Sequence, residues 1–260
     1  MTRMHDHDKG LAFDLPKLLS RRQALGVFAG GLTSAALAAC GGGGDKATTT
    51  SSTTGGIPKE TAGPFPGDGS NGPNVLAESG VVRSDITTSF GDASGTATGV
   101  PTTVELTLLD VAKGGTPLAG AAVYLWHCDA AGRYSLYDQE ISGENYLRGV
   151  QQSDADGKLT FKTIFPAAYS GRWPHIHFEV YESLDAATNG GAKLRTSQLA
   201  IPQAICETVY ATDGYEQSVA NLAQVSLDSD GIFSDGYSLQ MATVTGSVEE
   251  GYVATLNVPV

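Results

Sequence analysis

At 260 residues, with 41% hydrophobic and 17% charged residues, the chain has the composition of an ordinary globular protein, enough for one large domain or two small ones. Its formal charge of −12 argues against a nucleic-acid partner, because phosphate binding needs a basic face and no basic run extends beyond Arg21-Arg22. After residue 40 no stretch of about 18 uncharged apolar residues occurs, so the remainder does not read as membrane-spanning.

The N-terminal region reads as a leader. Ser20-Arg21-Arg22-Gln23-Ala24-Leu25 precedes a weakly apolar run from Gly26 to Ala39, the order of a secretory signal, and the paired arginines resemble a twin-arginine export signal. The run closes on Leu37-Ala38-Ala39-Cys40, similar to a bacterial lipobox, in which the cysteine is diacylated and becomes the new N-terminus. Residues 1–39 are therefore expected to be a signal peptide. Residues 40–56, with Gly41 to Gly44 and a Thr/Ser tract from Thr48 to Thr54, are expected to be a lipidated cysteine and flexible tether. The alternative is an apolar helix that ends in Cys40 by chance. Losing five basic and three acidic residues with the leader takes the charge from −12 to about −14. The implied location is the extracytoplasmic side of a membrane, held through Cys40. In that oxidising compartment Cys128 and Cys206 are expected to be bridged, against the alternative of two buried free thiols.

Residues 57–260 read as one all-β domain, an antiparallel sandwich with long irregular loops and one or two short helices. Strand patterns run from Thr103 to Leu109, Ala122 to Cys128, Leu159 to Ile164, His175 to Tyr181, Leu194 to Ile201, Leu239 to Thr245 and Tyr252 to Val258. Turn chemistry separates them at Lys113-Gly114-Gly115, Asp129-Ala130-Ala131-Gly132 and Asp154-Ala155-Asp156-Gly157. Helix is expected from Pro202 to Ala211, with proline at a first-turn position, and from Glu216 to Ala223. Gly63 to Asn74 reads as irregular.

Beyond the leader three histidines remain, His127, His175 and His177, and two of them stand two apart in a predicted strand. Alternate strand residues share a face, so His175 and His177 present two imidazoles side by side, about 7 Å apart at the backbone, while Ile176 and Phe178 face the core. Such a pair is either a metal half-site or two partly exposed strand residues, and the spacing alone leaves both open.

The surrounding segments carry more information. Glu60-Thr61-Ala62-Gly63-Pro64-Phe65-Pro66, Arg83-Ser84-Asp85-Ile86, Trp126-His127-Cys128-Asp129-Ala130, Gly132-Arg133-Tyr134-Ser135, Tyr146-Leu147-Arg148-Gly149-Val150-Gln151 and Ala168-Tyr169-Ser170-Gly171-Arg172-Trp173-Pro174-His175-Ile176-His177-Phe178 occur in that order. Together they resemble the intradiol ring-cleavage dioxygenases. The resemblance implies a non-haem Fe(III) ion held by Tyr134, Tyr169, His175 and His177. A hard, highly charged ion favours phenolate oxygen, and two phenolates with two neutral imidazoles leave one net positive charge. It implies further that Arg172 stabilises carbanionic character in the substrate, that Gln198 positions substrate or oxygen, and that Pro64-Phe65 lines the mouth. Tyr137 is the competing phenol and is expected to be a pocket wall. The chain departs from the family in carrying Pro166-Ala167-Ala168 where Pro-Gly commonly precedes the second tyrosine. It is similar to the compact, secreted members, without the helical dimerisation region of many catechol-cleaving enzymes.

The implied partners are a catecholic small molecule and O2, and the implied reaction cleaves the ring between its two hydroxyl-bearing carbons to a muconate-type diacid. Two alternatives stand beside this: a catalytically reduced cell-surface binding module on the same sandwich, and a copper or zinc site that uses the histidines without the phenols.

Overall fold

The computed structural model describes residues 55–260. The expected leader, Cys40 and the tether as far as Thr54 lie outside the described residues.

Two sheets form the domain. In the first, β1 (Pro101–Asp110) alternates exposed and buried positions, and its inward Val104, Leu106 and Leu108 are all but inaccessible. It pairs at its end with the short β2 (Thr116–Pro117) and antiparallel with β5 (Lys158–Ile164), Val104 opposite Phe161 and Leu106 opposite Leu159. On its other side runs β9 (Gly251–Pro259), followed at the edge by β8 (Thr243–Ser247). The β1–β9 pairing is parallel, which departs from the expected antiparallel sandwich. Pleat alternation is the same in either direction, so the inward residues are those expected while the chain route differs.

The second sheet is ordered β4 (Arg148–Gln152), β3 (Ala122–Trp126), β6 (His175–Tyr181), β7 (Lys193–Ala200), all antiparallel. Val123, Leu125, Ile176, Phe178, Val180 and Leu199 join Val104, Leu106, Leu108 and Phe161 in the principal core. At about 25 cal/mol per Å² of apolar surface, this inter-sheet burial is the main driving force for the sandwich. Every residue of β3 and β6 is buried, so the outer face of this sheet is covered as well. That face carries Tyr124, Trp126 and Tyr181 in a second cluster with Val75, Val81, Cys128 and Tyr134, roofed by the irregular segments before β1 and between β3 and β4. The site is built on this covered face.

Among the described residues three short α-helices occur, one more than expected. α1 (Leu184–Thr188) is capped by the Ser183 side chain, which accepts from the Ala186 amide. α2 (Gln203–Tyr210) follows Pro202, and α3 (Glu216–Leu222) ends at Ala223, close to the predicted bounds. Residues 63–74 are irregular apart from an Asp68–Asn74 bridge.

Cys128 and Cys206 are both free, which corrects the expected disulfide. They belong to different apolar clusters, Cys128 under the roofed face and Cys206 in the principal core. Their thiols contact the Ala167 and Ile201 carbonyls, and burial raises both thiol pKa values, that of Cys128 to about 12. These are inert buried thiols.

Candidate metal centre

Strand register builds one side of the site. Arg148, Trp126, His177 and Gln198 are successive cross-strand partners on β4, β3, β6 and β7, so their side chains form one row on the covered face. His175 stands two residues before His177 on that face, and the two Nε2 atoms lie 3.0 Å apart. Trp126 stacks on the His177 ring at 4.8 Å with a 9° interplanar angle. From the other side Gly63 approaches so closely that a β-carbon there would lie 3.4 Å from His177 Cε1.

Two loops build the other side. Tyr134 follows a turn organised by Asp129, whose Oδ1 accepts from the amides of Ala131 and Arg133 and whose Oδ2 accepts from Arg133 Nε. Gly132 in this turn has φ +84°, and a β-carbon there would meet Tyr169 Cβ at 3.2 Å. Glycine therefore meets two demands, a left-handed backbone and close approach of the two tyrosine-bearing loops. Tyr169 sits on a loop held from below by α2 and α3. Ser218 Oγ accepts from the Ala168 amide, Asn221 donates to the Ala168 carbonyl, and Tyr210 donates to the Pro166 carbonyl.

The four side chains close into a ring of polar atoms. Tyr134 Oη is 3.4 Å from Tyr169 Oη, which is 3.2 Å from His175 Nε2; His177 Nε2 completes the circuit at 3.2 Å from Tyr134 Oη. Donor atoms arranged about 2 Å from a shared ion stand roughly 3 Å from one another, so these spacings fit direct ligation. His175 Nδ1 faces the Trp173 carbonyl, which can only accept; this ring therefore carries its proton on Nδ1 and turns the Nε2 lone pair inward. Burial, reinforced by neighbouring positive charge, holds both imidazole pKa values well below the usual histidine range, so both rings are neutral. Burial also pushes the Tyr169 phenol up to about 12 and the Tyr134 phenol well above its ordinary range, while the Arg172 guanidinium pulls both down. Among the described residues no group of three or more His, Cys, Asp or Glu is arranged to hold a metal, and the further donors beside the two histidines are the phenols of Tyr134 and Tyr169. The third histidine, His127, lies elsewhere, between the Cys128 carbonyl and Thr163 Oγ1.

Comparison with known proteins agrees with this architecture. The model of the Dioxygenase family matches residues 71–186. Catechol 1,2-dioxygenase 2 of Acinetobacter lwoffii is 39% identical over 56 residues, covering 22% of this chain and 20% of the relative. The protocatechuate 3,4-dioxygenase beta chain of Burkholderia cepacia is 34% identical over 80 residues, covering 26% and 34%. The chain thus spans between a fifth and a third of the length of these two curated relatives. An intradiol ring-cleavage dioxygenase from Tetranychus urticae shares the fold with a TM-score of 0.61 at 23% identity, over 79% of this chain and 94% of that one. The chain resembles the dioxygenases over residues 71–186 and shares the fold of that intradiol ring-cleavage enzyme.

The remaining expected residues also gather at the site. Gln198 is fully buried, and its Oε1 accepts from Arg172 Nη2 at 2.6 Å. Phe65 packs against Tyr134 at 5.0 Å and Tyr137 at 5.3 Å. The Tyr137 hydroxyl is occupied at the wall, accepting from the Gly67 amide and donating to the Asn71 carbonyl. Sequence reasoning missed Asp230, a fully buried carboxylate paired with Arg172, and gave no role to Trp126 or Arg148. The Tyr124-x-Trp126 alternation was a usable signal for an aromatic face. Asp230 offered no comparable signal.

Proposed function

We propose that this chain is a non-haem Fe(III)-dependent dioxygenase that cleaves a catechol-type ring between its two hydroxyl-bearing carbons, yielding a muconate-type diacid with both atoms of O2 incorporated. The observation that carries this reading is the closed ring formed by Tyr134 Oη, Tyr169 Oη, His175 Nε2 and His177 Nε2, with neighbours 3.0 to 3.4 Å apart. These four residues would hold the ion. Ferric iron bound there would supply Lewis acidity toward the two catechol oxygens and the one-electron chemistry that lets an aromatic ring react with O2.

The protein's own groups do the rest. Both phenols must release their protons to serve as anionic ligands, against the effect of burial, and the two neutral imidazoles contribute no charge. Arg172, fixed by Asp230, stands beside the ligand set, where its charge stabilises electron density developing on the substrate. Gln198, in the row with His177, orients substrate or oxygen, while Pro64 and Phe65 line the mouth. The same proposal places the enzyme outside the cytoplasm. It is exported through the leader at 1–39 and tethered by lipidated Cys40, the support being the lipobox-like tetrapeptide and the Gly/Thr/Ser tract that follows.

The test is to load the full chain with ferric iron, look for a visible tyrosinate charge-transfer band, and follow O2 uptake with a panel of catechols. A band with O2 consumption and diacid product is expected. A band without turnover would mark a binding module on the same fold, and metal uptake without a band would point to the histidines alone.

A further inference from the structure

Arg148 opens β4 at one end of the row that contains His177 and Gln198, and it is completely buried. All five of its N–H donors are used. Nε donates to Ser135 Oγ at 3.0 Å, Nη1 to the Pro66 carbonyl at 2.9 Å and Tyr124 Oη at 3.1 Å, and Nη2 to the carbonyls of Phe65 at 3.1 Å and Ser135 at 2.9 Å. Every one of these acceptors is uncharged. Burying a guanidinium on neutral partners is costly unless the geometry returns the lost hydration, which a planar fork of five charge-assisted bonds can do and a lysine ammonium cannot.

Besides Tyr124 on β3, the acceptors lie on two segments that Arg148 ties together, alongside the bonds of the Tyr137 hydroxyl to Gly67 and Asn71. One is the mouth segment Phe65-Pro66; the other is Ser135, the residue after Tyr134. Phe65 in turn packs its ring on Tyr134, and Arg148 lies 5.5 Å over the Tyr137 ring. Backbone strain flanks the clamp: Leu136, next to Ser135, has φ +72°, and Leu147, next to Arg148, has φ +57°. Leucine enters the left-handed region only where its surroundings enforce it. Gly67, at φ +65°, passes so near the guanidinium that a β-carbon would lie 2.8 Å from Nη1.

We propose that Arg148 is a positioning residue that locks the Tyr134 loop to the mouth of the site, fixing the Tyr134 phenol relative to His177 and Phe65 as the wall the substrate passes. This rests on the ferric reading above.

The experiment compares the full, iron-loaded chain with Arg148→Lys, Arg148→Met and Ser135→Ala, and with Phe161→Leu as a variant that loosens the remote inter-sheet core. Iron content, the visible band, and KM and kcat with catechol are measured beside Tm. The Arg148 variants should keep most of their iron, shift or weaken the band, and raise KM about tenfold with a smaller change in kcat; Ser135→Ala should move band and KM the same way by less. Phe161→Leu should lower Tm and leave band and KM in place. If Arg148→Lys matches the parent in band and KM, or if Phe161→Leu moves both as much at equal loss of Tm, the positioning role is overturned. Should either Arg148 variant fail to fold, Ser135→Ala decides by itself, since an unmoved band there removes the link to Tyr134. A parent chain that binds iron without the band sinks the ferric reading and this proposal together, whereas a parent with the band and unchanged variants sinks this proposal alone.

Discussion

Asp230 Oδ2 accepts from Arg172 Nε at 2.9 Å in an ion pair whose carboxylate has no exposure to solvent. The same oxygen accepts from the Trp173 amide at 2.7 Å, and Oδ1 accepts from the amides of Ile232 and Phe233. One carboxylate thus fixes the arginine side chain, the approach to β6 and the 3-10 turn at Phe233–Asp235. The other arm of Arg172 reaches Gln198.

Asp230→Asn should therefore loosen Arg172 and leave its charge buried without the Asp230 counter-charge, bonded still to Gln198. Breaking such a pair costs about 3 to 5 kcal/mol, which should appear as a large drop in Tm. No ligand is removed, so iron content should hold while kcat falls roughly tenfold or more through loss of charge placement. Parallel loss of iron and activity would show instead that Asp230 supports the metal ligands.

Tyr169 supplies a second test, by colour. Its phenol touches both Tyr134 Oη and His175 Nε2, whereas Tyr137 is bonded to the mouth segment. Tyr169→Phe should shift the visible band and remove a large part of its intensity, with weaker iron retention. Tyr137→Phe should leave the band where it was. An unchanged spectrum in Tyr169→Phe would remove Tyr169 from the ligand set.

Much of this site was legible because it depends on local geometry. The pair His175 and His177 shares a face by the pleat of a single strand, and the turn before Tyr134 needs only Asp129 and Gly132, three residues apart. What escaped depends on long-range partners. Arg148 donates to carbonyls 82 and 83 residues away in sequence, and Asp230 meets Arg172 across 58. β4 was missed for the same reason, since Arg-Gly-Val-Gln-Gln has no alternating apolar pattern and its buried opening arginine meets long-range partners. The free cysteines follow too: an oxidising compartment permits a bridge, but core assignment, invisible in spacing, puts the two thiols in different clusters.

The leader reading has its own test. If Cys40 is the lipidation site, Cys40→Ser should release the domain from membranes into the soluble fraction, while its iron spectrum stays that of the parent. Equal partitioning of mutant and parent would reject the anchor.

His127 makes stability depend on pH. Its Nδ1 lies 2.8 Å from the Cys128 carbonyl, which can only accept, so the proton sits on Nδ1 and Nε2 accepts from Thr163 Oγ1 at 2.6 Å. Burial lowers its pKa from the ordinary 6.5 to about 4. Between those values the unfolded chain binds a proton there and the folded chain does not, so stability rises with pH across this window and is lost as pH falls through it. The shift corresponds to a contribution on the order of 3 kcal/mol, present in full above about pH 6.5 and gone below about 4. His175 and His177 act in the same direction in metal-free protein, so the measurement is a difference. His127→Gln should be less stable than the parent at pH 7.5, because the variant must refill a tightly bonded site, yet lose less on acidification. Denaturant unfolding of metal-free protein from pH 7.5 to 4.5 should show the two stability curves converging, with proton uptake on unfolding near pH 5.5 lower in the variant by up to about one proton. Curves that stay parallel would mean that His127 titrates alike in folded and unfolded chains, and that its burial between Cys128 and Thr163 carries no acid sensitivity.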